Sequence, residues 1–201
     1  MQNFNKFFLE YCEDLNRSLS KIILKKLEEI FKVIELAIKR NKNIFTCGNG
    51  GSASVSNHFL CDFNKGIKID SKKKFKPKVI SLTNSIEMMS AISNDLNYEK
   101  VFSFQLENYS NKNDILICFS CSGSSKNILE VVKFAKRKKL KTIGFLGFAN
   151  LKNEKLFDYS ININFKNYGV TEDIFQILMH SISQFIRKKN IKNFKKSTYI
   201  L

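Results

Sequence analysis

The sequence has no tryptophan, a single proline and only two histidines among its 201 residues. No apolar run approaches the ~20 residues of a membrane-spanning helix, so an integral membrane protein is not expected. Residues 1–14 include acidic side chains where an export signal needs an apolar core, which predicts a cytoplasmic protein. Five cysteines, an odd number, argue against a disulfide scaffold and fit the same reducing compartment.

Two further features could indicate a binding site, but each has a simpler interpretation. Cys118 and Cys121 form a C-x-x-C pair, but the second pair of a structural zinc site is missing, and Cys118 falls within an apolar strand run. The net charge of +16 would suit a polyanion. The lysines, however, are spread along the whole chain, and their densest cluster, residues 72–78, is expected to be a solvated loop. A nucleic-acid partner is therefore not expected, although the positive field would help to collect an anionic substrate.

The apolar pattern predicts an α/β fold. Apolar residues recur at helical spacing from about residue 3 to 40, which indicates one or two long N-terminal helices. Strands are predicted at 43–47, 79–83, 115–119, 141–146 and 160–163, and helices follow the first three strands, with a last helix at about 171–187. This alternation predicts a three-layer sandwich, in which helices flank a central five-stranded parallel sheet.

The chain shows no internal repeat and no low-complexity linker, so one domain is expected over residues 1–201. Within it we distinguish an N-terminal helical segment (1–41), an α/β core (42–187) and a basic C-terminal tail (188–201).

Two Gly/Ser-rich turns, 48–52 and 120–125, follow the first and third predicted strands. Ligands of parallel sheets bind at the carboxyl ends of the strands, where hydroxyls and the N–H groups of a helix start can hold a phosphate. The second turn lacks the Gly-Lys-Ser/Thr of a P-loop and the three-glycine dinucleotide fingerprint, so a nucleotide is not indicated. The alternative for the second turn is a plain helix cap by Ser124 or Ser125. Two such turns at one edge of the sheet favour phosphate.

The two histidines lie on different predicted helices. His58 and Asp62 are four residues apart, so they share a helix face and could ligate a metal, act as an acid–base pair or form a structural hydrogen bond. His180 follows Glu172 by eight residues, a rise of ~12 Å. Because ligands lie only ~2.0–2.2 Å from zinc, one straight helix cannot direct both side chains at one ion. Either Glu172 occupies a loose first turn or the site is shared between subunits, and we favour the shared site.

Asn94 and Asp95 follow the predicted helix around Met88–Ile92, in what reads as a loop, where an Asx turn or a helix cap is the default interpretation. The combination of motifs is more informative than any one of them. In order, they are Gly48-Asn-Gly-Gly-Ser-Ala53, Asn57-His58-Phe59, Asn94-Asp95, the loop Ser120 to Ser125, and Glu172-Asp173 with His180. This series, over about residues 10–187, resembles the phosphoheptose isomerase branch of the sugar isomerase (SIS) domain family.

The resemblance implies an SIS fold and an aldose–ketose isomerase that converts sedoheptulose 7-phosphate to D-glycero-D-manno-heptose 7-phosphate, which supplies heptose for lipopolysaccharide or capsule. It implies a homotetramer with sites at the subunit interfaces, and one Zn²⁺ per subunit on His58, Asp62, Glu172 and His180. Asp62 would be the catalytic base and His180 the acid. The implied substrate contacts, with the phosphate on the Ser-rich loop, are Asn49, Gly50, Gly51, Ser52, Asp62, Asn94, Asp95, Ser120, Cys121, Ser122, Ser125 and Glu172.

The sequence departs from the family pattern at four positions. Asp62 and Glu172 stand where a Glu and a Gln are usual, so the base is one methylene shorter and the site gains a negative charge. Cys121 replaces a Thr, and Phe175 replaces a frequent His. The rivals to the isomerase are therefore an isomerase or epimerase of another sugar phosphate, and a non-catalytic SIS protein. The latter would be a sugar-phosphate sensor or a relative of the replication-initiator-associating proteins, neither of which needs four metal ligands.

Overall fold

The fold is built around one parallel sheet, seen in a computed structural model that describes residues 3–68 and 75–190. Its strands are β1 (Asn43–Gly48), β2 (Lys78–Ser81), β3 (Ile115–Ser120), β4 (Lys141–Leu146) and β5 (Tyr159–Asn162). Every neighbouring pair is parallel, in the order β2-β1-β3-β4-β5. The central strand β3 is buried along its whole length, as expected for a strand that is covered on both faces. The predicted five-stranded parallel sheet is confirmed.

Helices cover both faces of the sheet, as parallel connections require. They are α1 (Phe4–Ser20), α2 (Leu24–Lys39), α3 (Gly51–Cys61), α4 (Ile86–Asp95), α5 (Ser103–Tyr109), α6 (Lys126–Arg137), α7 (Leu151–Glu154) and α8 (Tyr168–Asn190). A π-helical segment, Asp62–Ile67, continues α3, and a 3-10 turn, Tyr98–Lys100, follows α4. No helix in the described part of the chain is both long and apolar enough to cross a membrane.

The long N-terminal helix is confirmed, and the amphipathic pattern of residues 3–40 forms two helices, α1 and α2. Two apolar cores lie on opposite faces of the sheet. Ile30 and Ile34 of α2 are fully buried in one of them, together with much of α8. Phe175 belongs to the same core and packs against Phe119 with ring centroids 5.9 Å apart, so this departure from the family pattern serves packing.

The two cysteines of the C-x-x-C pair lie on opposite faces of the sheet. Cys118 is buried in one core, where its sulfur lies 3.5 Å from that of Cys47, and Cys121 is buried in the other. Burial raises the pKa of the Cys118 thiol well above its ordinary value. Cys118 and Cys121 therefore form no joint site, as the position of Cys118 in a strand had indicated.

Several sequence predictions differ from the structure or lie partly outside the residues that it describes. Asn94 and Asp95 are the last two residues of α4 and not a loop, because the helix continues until the N–H of Leu96 bonds to the carbonyl of Ile92. The last helix is longer than predicted at both ends, from Tyr168 to Asn190. Residues 72–74 of the lysine cluster and 191–201 of the predicted tail lie outside the described residues, while Lys76 and Lys78 are exposed.

Candidate active site

A pocket of about 470 Å³ opens at the carboxyl ends of β1 and β3. Nine of its eleven lining residues are predicted substrate contacts: Asn49, Gly50, Gly51, Ser52, Ser120, Cys121, Ser122, Ser125 and Glu172. The other two, Phe119 and Tyr168, were not identified from the sequence. The fold therefore brings both Gly/Ser turns to one cavity, although 69 residues separate Ser52 from Cys121.

The Ser-rich loop is held in shape by its own hydroxyls. Ser120 Oγ accepts a hydrogen bond from the N–H of Gly123 at 3.1 Å, and Ser122 Oγ accepts one from the N–H of Ser124 at 3.2 Å. Ser125 is the N-cap of α6, as one interpretation proposed, but its side chain makes no capping bond. Its hydroxyl is thus available to a ligand. No lysine or arginine lines the pocket among the described residues, so an anion here would rely on hydroxyls and backbone N–H groups.

Gly123 is required by the geometry of this loop. Its φ is +60°, a left-handed conformation that favours glycine, and an added Cβ would collide with the side chain of Ala149.

The amide of Asn49 is fixed by two partners that do not themselves line the pocket. It forms a reciprocal pair with the amide of Asn127, with N···O distances of 3.0 and 2.9 Å. The phenol of Tyr98 donates a third bond to Asn49 Oδ1 at 3.0 Å. These contacts orient Asn49 but occupy its oxygen, so its side chain can offer a ligand mainly an N–H. Asn127 and Tyr98 were not singled out in the sequence, where nothing links them to residue 49.

Glu172 extends from α8 into the pocket. Its Oε1 accepts a hydrogen bond from Ser52 Oγ at 3.0 Å and from the thiol of Cys121 at 3.6 Å. Its carboxylate lies so close to Gly51 that any side chain there would collide with it. Burial raises the pKa of Cys121 to about 12, and the charge of Glu172 adds to the rise, so Cys121 remains a neutral donor.

Asn94 and Asp95 do not line this pocket. Both are exposed, and the amide of Asn94 donates to the Asp95 carboxylate at 2.9 Å. Within one chain the structure therefore does not bring these two predicted substrate contacts to the others.

Three of the four predicted metal ligands meet in a second group. His58 and Asp62 come from α3 and its continuation, and His180 comes from α8; one ligand atom from each lies within 4.8 Å of the others. His58 Nε2 lies 3.4 Å from His180 Nε2 and 3.3 Å from Asp62 Oδ1. His180 Nε2 lies 3.6 Å from Asp62 Oδ2.

These spacings fit a zinc ion. Zinc–ligand bonds of ~2.0–2.2 Å in a tetrahedron place neighbouring ligand atoms about 3.3–3.6 Å apart. The two Nε2 atoms, 3.4 Å apart, match one edge of such a tetrahedron. Each also lies at a comparable distance from one carboxylate oxygen of Asp62, His58 at 3.3 Å from Oδ1 and His180 at 3.6 Å from Oδ2. The donors, two imidazoles and one carboxylate, are also those that zinc binds. Asp62 is buried, whereas His58 and His180 are 43% and 39% exposed, so the group is open on one side.

Glu172 is not part of this group. It lies in α8 four residues after the helix begins at Tyr168, so it does not sit on a loose first turn. Its carboxylate is bound in the pocket by Ser52 and Cys121.

Two further residues of α8, Gln176 and Ser183, contact the candidate ligands His58 and Asp62. Neither was identified from the sequence. The amide nitrogen of Gln176 lies 2.7 Å from His58 Nδ1. The hydroxyl of Ser183, which is buried, lies 3.3 Å from Asp62 Oδ2 and 3.0 Å from the carbonyl of His180. Gln176, His180 and Ser183 follow one another at spacings of four and three, which is the only sequence signal that could have identified them.

This fold and this pair of sites define a class of protein. Residues 10–147 match the SIS domain family model, so the chain belongs to the SIS domain family.

Within that family the curated relatives point to one branch. The chain is 32% identical over 183 residues to the phosphoheptose isomerase of Helicobacter pylori. The alignment covers 91% of this chain and 93% of the relative. It is 30% identical over 166 residues to the phosphoheptose isomerase of Clostridium acetobutylicum, with 83% of each chain covered. The solved structure of a phosphoheptose isomerase from Neisseria gonorrhoeae matches with a TM-score of 0.82 at 23% identity, over 92% of this chain and 97% of that one, and so shows the same fold.

Proposed function

We propose that the chain is a phosphoheptose isomerase, an aldose–ketose isomerase that interconverts sedoheptulose 7-phosphate and D-glycero-D-manno-heptose 7-phosphate in heptose biosynthesis. The observation that carries this proposal is that His58, Asp62 and His180 come together on the same two helices that line the pocket of the Ser-rich loop, a pocket suited to a phosphate. A protein that only senses a sugar phosphate needs the pocket, but it has no use for a group of metal ligands.

The phosphate of the substrate binds to the Ser-rich loop, where the free hydroxyl of Ser125 and the N–H groups at the start of α6 offer donors. The sugar lies along Asn49 to Ser52, and Glu172 faces the same space. Asn94 and Asp95 would reach the substrate only across a subunit boundary, because they lie away from the pocket of their own chain. The grip on the phosphate is remote from the reacting carbons and supplies binding energy that positions C1 and C2.

The cation of this enzyme would be zinc, one ion per subunit, held by His58, Asp62 and His180 of one subunit and by Glu172 of the partner subunit. Two features support sharing: Glu172 and His180 are two helical turns apart, and the three-residue group is open on one side. The resemblance to phosphoheptose isomerases implies that the subunits form a homotetramer with the sites at its interfaces. When bound, zinc supplies a Lewis acid that orients the hydroxyls and polarises the carbonyl.

The proton transfers are assigned to two side chains. In the ketose-to-aldose direction, the Asp62 carboxylate takes a proton from C1 while the carbonyl oxygen on C2 gains one from His180, which gives a cis-enediol. Asp62 then returns its proton to C2, and the hydroxyl on C1 passes its proton to His180, which gives the aldehyde.

A cytoplasmic location is part of the proposal, and the five free cysteines favour it. The test is to supply the purified protein with zinc and sedoheptulose 7-phosphate and to follow formation of the aldose. We expect turnover, and we expect His180→Gln to abolish it while the binding of inorganic phosphate remains. Binding of sedoheptulose 7-phosphate to zinc-loaded protein without any conversion would identify a sensor instead.

A further inference from the structure

The shortest of the hydrogen-bond contacts around His58 and His180 is made by neither Asp62 nor the other histidine. It joins the side-chain amide of Gln176 to His58 Nδ1, at 2.7 Å, whereas the Nε2 contacts range from 3.3 to 3.6 Å. Gln176 lies on α8 one helical turn before His180. The amide oxygen of Gln176 is buried and has no hydrogen-bond partner among the described residues.

The orientation of this amide determines which nitrogen of His58 carries the proton. A neutral imidazole has one N–H donor and one acceptor nitrogen. If the amide nitrogen faces Nδ1, then Nδ1 accepts and the proton is on Nε2, the atom that faces His180 and Asp62. A protonated Nε2 has no lone pair for a cation. If the amide oxygen faces Nδ1, then Nδ1–H donates to it, and the Nε2 lone pair is directed at the group of ligands.

The two orientations differ by a half-turn about the last bond of the side chain. That torsion is broad and roughly two-fold, and the amide oxygen and nitrogen occupy nearly the same volume. The turn therefore transfers the 2.7 Å contact from the nitrogen to the oxygen without moving the ring of His58. A histidine that binds a metal usually donates its other N–H to a carbonyl or a carboxylate in this way.

We propose that Gln176 is a positioning residue of the metal site: its amide oxygen holds the proton of His58 on Nδ1, which leaves Nε2 free for the cation. This inference rests on the zinc site of the proposed function. Gln176 also helps to explain how the two helices bring the three ligands together. On α8, His180 lies between Gln176, which contacts His58, and Ser183, which contacts Asp62.

The experiment compares two substitutions of similar length. In Gln176→Glu a carboxylate replaces the amide and can only accept the Nδ1 proton, so zinc affinity, measured by competition with a chelator, stays equal to the wild type or rises. In Gln176→Met no acceptor is left, and zinc affinity falls about 10- to 100-fold. A role in packing alone predicts the reverse order, because Met is tolerated in a half-buried site and a charge is not. Ser181→Ala, on the exposed side of α8, is the matched control and changes nothing.

A second measurement does not depend on variants that fold. Nitrogen–proton correlation spectra of the zinc-loaded wild type are expected to show the His58 proton on Nδ1, and a proton on Nε2 would overturn the inference. Failure of the zinc site itself has a different signature, because wild type and His58→Ala would then bind zinc equally poorly. If the wild type binds zinc through His58 and Gln176→Met binds it as tightly, only the inference about Gln176 is wrong.

Discussion

The hydroxyl of Ser52 donates a hydrogen bond to the carboxylate of Glu172 at 3.0 Å, and this contact joins α3 and α8 where both reach the pocket. Further along the same two helices, His58 meets Gln176 and Asp62 meets Ser183. The two helices therefore run side by side in the same direction, from the pocket beside the Ser-rich loop to the group of His58, Asp62 and His180. One helix pair positions both candidate sites, and Glu172 brings a negative charge to the pocket that we expect to bind a phosphate.

The first prediction concerns this charge. Glu172→Gln keeps the shape of the side chain and removes a like charge beside the Ser-rich loop. We expect inorganic phosphate to bind about three- to tenfold more tightly, a gain on the order of 1 kcal/mol. Isothermal titration calorimetry at low ionic strength measures it. Glu107→Gln removes the same charge from an exposed site on α5 and is the control; equal phosphate affinity in all three proteins would contradict the prediction.

The sheet and the pocket were predictable from the sequence because local patterns encode them. Short apolar runs ending in Gly/Ser turns predicted the strands, and the turns had to meet because the carboxyl ends of parallel strands share one edge. The early start of α8 also has a local signal that the prediction overlooked. The side chain of Asn167 accepts a hydrogen bond from the N–H of Val170 at 3.2 Å, as an N-terminal cap does.

The contacts around the candidate ligands were not predictable in this way. The pair of His58 and Gln176 spans 118 residues of sequence, and the pair of Asn49 and Tyr98 spans 49. Each pair depends on how two helices or loops are placed relative to each other, which no spacing within one helix specifies. The helical rise predicted that one straight helix cannot direct Glu172 and His180 at one ion, and in the structure the helix is regular at Glu172 and the two residues lie in different groups.

The second prediction separates binding from loop structure in the Ser-rich loop. Ser125→Ala should weaken phosphate binding about five- to tenfold, the value of roughly one hydrogen bond, with the melting temperature unchanged, because its hydroxyl caps nothing. Ser120→Ala should also lower the free energy of unfolding by about 1–2 kcal/mol, since it leaves the N–H of Gly123 without its acceptor. Phosphate titrations and thermal melts measure the two effects. A melting temperature that falls equally in both variants would show that Ser125 is structural.

The third prediction tests Asp62 as the proposed catalytic base. Asp62→Asn keeps the side-chain shape but cannot accept the C1 proton, so we expect kcat to fall about 10²- to 10⁴-fold with phosphate binding intact. Ser183→Ala leaves the carboxylate in place without the hydroxyl that contacts it and should lower kcat only about tenfold. Steady-state kinetics on sedoheptulose 7-phosphate provides both values. Turnover by Asp62→Asn at the wild-type rate would exclude Asp62 as the base.

The last prediction concerns the attachment of α1 to α8. The phenol of Tyr11 donates to the carboxylate of Asp173 at 2.6 Å, and burial together with this hydrogen bond raises the pKa of Tyr11 to about 12. Tyr11→Phe should lower the free energy of unfolding by about 1 kcal/mol near neutral pH, because the partly exposed acceptor regains water as its partner.

The pH dependence of that difference has a definite sign. The pKa of Tyr11 is raised from about 10 in the unfolded chain, so its contribution is complete below pH 10 and is lost as the pH rises through 12. Denaturant unfolding of the wild type and of Tyr11→Phe at a series of pH values should therefore show a constant gap up to about pH 10 that closes above it. Because every other titrating group is common to both proteins, a gap that persists unchanged above pH 12 would mean that the hydrogen bond to Asp173 is not its source.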